Sequence, residues 1–344
     1  MKIALVSSFV PFIEGGLRNI VEWLEIMLTS EGHQVERIYL PQIDTPELIT
    51  AQMLAYRLID LSAADRVICF RPQSHLIAHP NKIVWFIHHL RTFYDLWDTE
   101  YRGMPDDAPH RALRDAVRDL DTRALSEARH VYANSRVVSD RLWRFNGIRS
   151  RVVYPPIYQP ERFRCDYYGE EIVYLARLSS HKRQHLLIEA MQHVRTPVRL
   201  RLLGTGDTPE YPAELRSQVS RLGLHTQVTI DDRWISESEK AEALARCLAT
   251  AYLPLDEDSY GYPSLESSHS RKPVITTKDA GGVLELVEDG YNGLVCEPNP
   301  RSLALAIDRV YGDRDATKSM GANAEERLRQ LNISWSNVIE RMLA

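Results

Sequence analysis

Short apolar runs alternate with amphipathic stretches along most of this chain of 344 residues. The apolar runs predict strands at 2–7, 34–40, 66–70, 82–87, 130–133, 171–175, 199–203, 227–230, 249–253 and 273–277. The amphipathic stretches predict helices at 17–30, 111–128, 184–193, 210–222, from 236 onward, around Glu266 and at 334–343. Strands that alternate with helices indicate parallel sheets with right-handed crossovers.

A proline-rich break interrupts this pattern, and the alternation then starts again. The break contains Tyr154-Pro155-Pro156 and Gln159-Pro160, a stiff segment typical of a linker. The length also exceeds that of one ordinary core and fits two domains. We therefore predict an N-terminal Rossmann-like domain at 1–155, a C-terminal one at 156–330 and a final helix at 331–344.

Composition narrows the class of protein. Apolar residues make up 44% and charged residues 26%, as in a soluble globular protein. The net charge of -5 gives no overall attraction to nucleic acid or to anionic lipid. The stretch 102–151 is rich in arginine with acids between, which fits solvated helices with ion pairs. A basic face that touches lipid phosphate or an anionic acceptor is the alternative.

The cysteines and the apolar segments bear on location. Four cysteines stand far apart without CxxC or CxxH spacing, so we expect reduced, mostly buried thiols and neither a zinc site nor a disulfide framework. The apolar start of the chain is too short for a signal peptide core. No run approaches the roughly 20 apolar residues of a membrane span. We expect a cytoplasmic protein, with peripheral contact to the inner face of the membrane as an option.

The stretch 258–282, DSYGYPSLESSHSRKPVITTKDAGG, carries the strongest chemical signal. A glycine loop leads into a helix with Pro263 at its start, and a second loop holds Gly281-Gly282. A helix start beside a glycine loop presents backbone N–H groups to an anion such as a phosphate. Asp258 and Glu266 bracket this place and can bind the hydroxyls of a sugar or a ribose. Together these features predict a nucleotide-sugar site.

Other strand ends carry residues suited to the same ligand. Gly15-Gly16 follows the first strand, either as a turn or as a loop that lets a diphosphate approach the backbone. Arg177 and Lys182 follow the strand 171–175 and could neutralise a diphosphate, although solvated surface cations are the simpler interpretation. Gly204, in an incomplete glycine fingerprint, predicts a turn near a nucleotide rather than an NAD site.

The segment 258–282 resembles the donor-site signature of retaining glycosyltransferases of family 4, which have the GT-B fold. The matching features are Asp258 at the first acid, Tyr260-Gly261 at the turn, Glu266 at the second acid and the downstream Gly281-Gly282. The family has Glu where this chain has Asp258, a side chain shorter by one methylene. Gly15-Gly16 and the pair Arg177 and Lys182 also have counterparts in the family.

The resemblance implies a fold and a reaction. It implies two Rossmann-like domains whose parallel sheets face a central cleft, and a last helix that returns to the N-terminal domain. It implies transfer of a sugar, with retention, from a GDP- or UDP-sugar to a saccharide or lipid-linked acceptor in cell-surface polysaccharide or glycolipid synthesis. A weakly active nucleotide-sugar-binding subunit, or an epimerase or phosphorylase of the same fold, is the alternative.

The resemblance also assigns roles. His88 or His89, after the strand 82–87, would lie beside the donor sugar, and we align His88 with the family residue. Asn134-Ser135 matches an Asn-Ser step before a helix, or is a simple N-cap. Arg233-Trp234 are candidates for contact with the base. No cofactor, metal or nucleic acid is expected. The predicted catalytic residues are His88, Asp258, Arg177 and Lys182. The predicted donor-binding residues are Gly15, Gly16, Arg177, Lys182, Gly204, Tyr262, Ser264, Leu265, Glu266, Gly281 and Gly282.

Overall fold

The computed structural model describes residues 1–11, 16–43 and 45–344, and they form two compact units. The N-terminal unit comprises Met1–Pro155 and Ile333–Ala344, and the C-terminal unit comprises Pro156–Asn332. Within the described residues, each unit contains a parallel sheet of 6 strands. The predicted α/β class, with a Rossmann-like sheet in each half, is confirmed.

The N-terminal unit surrounds its sheet with helices. Its strands are β1 Lys2–Phe9, β2 Gln34–Pro41, β3 Arg66–Cys69, β4 Lys82–Phe86, β5 His130–Ala133 and β6 Arg151–Val152. Its first helices are α1 Gly16–Ser30, α2 Ile49–Arg57, α3 Ala108–Ser126 and α4 Arg136–Asn146. The strand order is β2-β1-β3-β4-β5-β6, so the order reverses between β1 and β3. Ligands of doubly wound sheets bind at such a reversal, beyond the carboxyl ends of the strands.

The C-terminal unit has the strand order typical of dinucleotide-binding folds. Its strands are β7 Glu171–Leu175, β8 Arg199–Leu203, β9 Val228–Asp231, β10 Ala249–Ala251, β11 Val274–Thr277 and β12 Gly293–Cys296. Its helices are α5 Gln184–Met191, α6 Glu210–Arg221, α7 Glu237–Arg246, α8 Tyr262–His269, α9 Val283–Leu286, α10 Pro300–Gly312 and α11 Arg314–Gln330. The order β12-β11-β10-β7-β8-β9 reverses between β7 and β10.

The last helix, α12 Trp335–Leu343, is grouped with the N-terminal unit. Ser334 caps it by accepting from the N–H of Asn337. Val338 and Met342 are buried, and the buried Arg66 guanidinium donates to the Met342 carbonyl at 2.7 Å. The end of the chain is therefore tied to the start of β3.

Hydrophobic burial explains why the central strands read as continuous apolar runs. All residues of β3, β4, β10 and β11 are buried. Parallel sheets covered by helices on both faces require this, whereas one-sided sheets show alternation. Side-chain caps likewise mark the starts of helices in the sequence. Ser135 accepts from the N–H of Val138 at 3.0 Å, and Ser236 forms a capping box with Glu239.

The cysteines are free thiols, of which Cys69, Cys247 and Cys296 are buried. Burial raises the pKa of the Cys69 and Cys247 thiols to about 12, so both stay protonated and poorly reactive near neutral pH. Among the helices of the described residues, none has the length and apolar character to cross a bilayer.

Candidate functional site

A pocket lies at the carboxyl edge of the C-terminal sheet, beside the reversal of strand order. It is formed by the loops after β7 and β8, the segment that leads into α7, and the start of α8. Four of the predicted donor-binding residues line it together: Arg177, Gly204, Tyr262 and Glu266. Trp234 also lines this pocket, which is the neighbourhood that the sequence suggested for it. Ligands of this fold bind at this edge, so the pocket is our candidate site.

A larger groove runs along the sheet beside α7 and shares Leu203 and Ile235 with the pocket. Charged side chains in this groove pair with acids at its rim. Arg246 pairs with Glu242, and Arg233 pairs with Glu239 at 2.6 Å. Glu171 and Arg199, which begin β7 and β8, also line this groove, so it extends to the amino ends of the strands. Ligands of this fold bind at the carboxyl ends, which favours the smaller pocket.

Glu266 is a buried carboxylate at the base of the pocket. Only 5% of its surface is exposed, and it accepts from the Lys240 ammonium at 2.8 Å. Burial raises the pKa of the Glu266 carboxyl, and Lys240 opposes this shift. The pKa of Lys240 is raised, because Glu266 and Glu237 outweigh the effect of its burial. The ion pair with Lys240 fixes the Glu266 carboxyl group in a largely dry place, where its oxygens are suited to accept from a hydroxyl. Sequence reasoning did not identify Lys240.

Arg177 is a further wall residue of the pocket. Its guanidinium pairs with Asp207 at 2.7 Å, and 52% of its side chain is exposed. Gly204 brings the loop after β8 close to this wall. An added Cβ there would lie 2.3 Å from the Ala176 carbonyl oxygen, at a φ of +137°. A glycine is thus required for this loop to approach the segment that carries Arg177.

Lys182 belongs to a second cluster at the same edge of the sheet. Its ammonium donates to the Tyr252 hydroxyl at 2.9 Å and forms an ion pair with Glu257. Only 9% of the Lys182 side chain is exposed. Asp258, the next residue, is partly exposed. The sequence pointed to Lys182 and Asp258 but not to Glu257.

Arg183 also follows β7, but its contacts differ from those of Lys182. Its guanidinium pairs with Asp279 through two bonds and donates to the carbonyls of Leu253 and Pro254. It also donates to the Thr277 hydroxyl at 2.8 Å. Arg183 therefore ties together the loops after β7, β10 and β11 and has a structural role.

Gly281-Gly282 packs against the loop 256–259. An added Cβ on Gly281 would lie 2.5 Å from the Glu257 carbonyl oxygen, and one on Gly282 would lie 2.6 Å from Cα of Ser259. The N–H of Gly282 donates to the Glu257 carbonyl at 2.8 Å. The glycine pair thus has a definite role in loop packing, and its predicted contact with a donor stays a prediction.

Two other predicted residues are held inside α8. Leu265 has no exposed surface, and its N–H donates to the Gly261 carbonyl at 3.4 Å. Its side chain therefore cannot touch a ligand in this conformation. Ser264 is also fully buried, and its hydroxyl has no hydrogen-bond partner in the part of the chain that the structure describes. Its carbonyl accepts from the Ser268 hydroxyl at 2.9 Å.

Gly261, just before α8, gives a prediction for the stability of the site loop. It has a φ of +70°, and an added Cβ would lie 2.5 Å from the Tyr252 ring. Gly261→Ala should therefore lower the free energy of unfolding by more than the roughly 1–2 kcal/mol of left-handed backbone strain alone. Gly290→Ala is the matched control, because Gly290 has a φ of +72° and no atom within 4 Å of the added Cβ. Equal losses in urea unfolding would show that contact with Tyr252 does not matter.

In the N-terminal unit, the two histidines after β4 differ in burial. His89 is buried among the rings of Phe86, Tyr94 and Phe145, and its Nε2 contacts Asn146 Oδ1 at 2.9 Å. Burial lowers the pKa of His89 to about 4, so it is a neutral structural residue.

His88 is the partly exposed member of the pair. Its Nδ1 lies 2.7 Å from the His89 carbonyl oxygen, and its Nε2 accepts from Arg71 Nε at 3.3 Å. This pattern assigns the proton to Nδ1. Of the predicted glycines at the end of β1, Gly16 begins α1, and Gly15 lies outside the described residues.

A known protein family matches the part of the chain that contains the candidate pocket. Residues 168–327 match the model of the family described as glycosyl transferases group 1. These residues lie in the C-terminal unit and include the candidate pocket. The C-terminal unit thus carries a segment similar to the group 1 glycosyltransferases, and each unit has a Rossmann-like parallel sheet as in the GT-B fold.

The curated relatives that match this chain include a mannosyltransferase. An alpha-1,3/1,6-mannosyltransferase from Dictyostelium discoideum is 33% identical over 125 residues, 36% of this chain and 29% of that protein. An alpha-maltose-1-phosphate synthase from Mycolicibacterium smegmatis is 26% identical over 214 residues, 58% of this chain and 54% of that protein. The matched stretches thus span less than two thirds of either relative.

Two solved structures cover nearly the whole chain. Anabaena HepE in complex with UDP has a TM-score of 0.71 at 18% identity and covers 99% of this chain and 100% of its own. Sucrose-phosphate synthase from Thermosynechococcus elongatus has a TM-score of 0.74 at 18% identity, with 99% of this chain and 97% of its own covered. At these identities the likeness establishes the fold.

Proposed function

We propose that this chain is a retaining hexosyltransferase that moves a sugar from a nucleotide diphosphate sugar to a saccharide or lipid-linked acceptor. The pocket of the C-terminal unit carries this proposal, because Arg177, Trp234 and Glu266 line one site. A guanidinium suits a diphosphate, a flat ring suits a base, and a buried carboxylate suits ribose hydroxyls.

Each of these residues then has a role in donor binding. Glu266, held by Lys240, accepts from the ribose hydroxyls, and Trp234, with 66% of its surface exposed, offers a face for the base. Arg177 and Lys182 stabilise the negative charge that develops on the leaving diphosphate. Asp258 accepts from a hydroxyl of the transferred sugar. The role of His88 and the acceptor side concern the N-terminal unit and stay predictions.

UDP is the first nucleotide to test as part of the donor. HepE, which shares the fold, was crystallised with UDP and with UDP-glucose. We expect UDP or GDP, and their sugars, to raise the melting temperature of this protein, whereas the free sugar should not. A survey of nucleotides by thermal shift measures this directly. If no nucleotide diphosphate stabilised the protein, the donor site would be wrong.

Transfer itself separates the proposed activity from its alternatives. A transferase releases a nucleotide diphosphate and forms a new glycosidic linkage to an added acceptor. A binding subunit would be stabilised by the donor but would form no linkage, and an epimerase would return a nucleotide sugar of altered configuration. Product analysis by mass spectrometry and NMR distinguishes the three outcomes.

Chelation provides a further prediction. Because Arg177 and Lys182 are proposed to neutralise the leaving diphosphate, we expect sugar transfer to persist in excess EDTA. Initial rates are compared before and after dialysis against the chelator. Loss of transfer that returns on adding Mg²⁺ or Mn²⁺ would contradict the assignment of the charge to these side chains.

A further inference from the structure

Lys182, which we assign to the donor diphosphate, is already paired with a carboxylate of the protein. Lys182 forms its ion pair with Glu257, a residue 75 positions further along the chain. The side chains are only 9% and 27% exposed, so water screens this pair weakly. The Glu257 carboxylate therefore already fills the position beside Lys182 that a phosphate would take.

The neighbouring cations, Arg177 and Arg183, are also paired with carboxylates. Arg177 pairs with Asp207 at 2.7 Å, and Arg183 pairs with Asp279 at 2.7 Å. The acids Asp256 and Asp258 flank Glu257 in the sequence. Without a ligand, this edge of the sheet thus offers a phosphate little uncompensated positive charge.

Hydrogen bonds of the Glu257 backbone hold its loop in place independently of the side chain, which is 27% exposed. Its N–H donates to the Ala280 carbonyl at 3.3 Å, and its own carbonyl accepts from the N–H of Gly282 at 2.8 Å. The close approach of Gly281 allows this packing. The carboxylate can therefore leave Lys182 by side-chain rotation, without movement of the loop. Lys182 would keep its bond to the Tyr252 hydroxyl, 2.9 Å away, and stay in position.

We propose that Glu257 occupies Lys182 in place of the donor diphosphate and sets the affinity of the site. The diphosphate exchanges with the Glu257 carboxylate, which weakens binding of donor and product alike. A nucleoside diphosphate has enough charge to displace the carboxylate, and a nucleoside monophosphate has less. This inference rests on the proposed donor site and adds to it a residue that tunes affinity for the nucleotide.

The test is the variant Glu257→Gln, which removes the charge and keeps the shape. We expect its Kd for UDP or GDP, measured by titration calorimetry at low salt, to fall about tenfold. The gain should shrink as salt rises, because screening weakens the contribution of the carboxylate. The variant should also bind UMP and GMP, measured in parallel, more tightly. Its affinities for the monophosphates and the diphosphates should therefore differ less than those of the wild type.

Asp207→Asn is the matched control. It removes the carboxylate from Arg177, whose pair is far more exposed, at 52% and 35%. Exposed pairs contribute little, so its Kd should change by less than about threefold. Glu257→Ala, checked for folding by its melting temperature, supplies a second variant with the same expected direction.

The possible outcomes separate this inference from the proposed function. Unchanged or weaker nucleotide binding in both Glu257 variants would overturn the inference, as would an equal gain in Asp207→Asn. Binding by the Glu257 variants but not by the wild type would support it strongly. If neither the wild type nor the variants bound any nucleotide diphosphate, the proposed donor site itself would fall, and the inference with it.

Discussion

Replacing Lys182 with methionine should lower sugar transfer by at least about tenfold, or roughly 1.4 kcal/mol of transition-state stabilisation. The Lys182 side chain is only 9% exposed, and Tyr252 and Glu257 hold its ammonium group in place. A fixed charge in a weakly hydrated site stabilises a developing anion without the cost of reorganising water. The measurement is kcat and kcat/KM with the donor found by thermal shift.

Two controls accompany this variant. Lys278→Met removes a lysine of the same unit that is 62% exposed, so transfer should stay normal. Lys182→Met also leaves Glu257 without its cation, and the double variant Lys182→Met/Glu257→Gln removes that orphaned charge. If transfer recovered fully in the double variant, the loss would come from Glu257 and Lys182 would have no direct role.

The second large effect concerns Glu266. Glu266→Gln should weaken binding of the free nucleotide diphosphate by about 1–3 kcal/mol, because a ribose hydroxyl would lose a charged partner in a buried site. Lys240 would keep its other carboxylate, Glu237, at 2.8 Å, so the fold should survive. Calorimetry gives the affinity, and urea unfolding gives the stability.

Asp258→Asn serves as the contrasting variant. If Asp258 binds the sugar, its loss should slow transfer strongly but leave the affinity for the nucleotide diphosphate almost unchanged, because that ligand has no sugar. Asp258→Glu should retain transfer or shift the preferred donor. Were Asp258→Asn to weaken nucleotide binding as much as transfer, its assignment to the sugar would be wrong. Were Glu266→Gln to spare nucleotide binding, the ribose assignment would fail in turn.

The sequence revealed the elements of the fold because their signals are local. The strands 171–175 and 199–203 appear at the predicted positions. Apolar runs mark strands that are buried on both faces, and Ser135 and Ser236 mark helix starts through their own hydroxyls. The sequence analysis did not identify α2, β12 or the longer helices α10 and α11, which have 13 and 17 residues.

The sequence also located part of the site. Strand ends of α/β sheets hold ligands, so residues just after strands were good candidates, and Arg177, Gly204, Tyr262 and Glu266 do line one pocket. Leu265 shows the limit of this reasoning. Membership in a motif did not reveal that its side chain is fully buried.

By itself, then, the sequence determined the α/β class and most strands, and it placed the candidate residues in loops at strand ends. Only the tertiary structure decided strand order, and with it which strand ends adjoin. It also distinguished Lys182 from Arg183, and it made His89 the buried residue of its pair. The partners Glu257 and Lys240 lie 75 and 26 residues from the side chains they hold. Such contacts arise from packing of the whole sheet, and no local pattern in the chain encodes them.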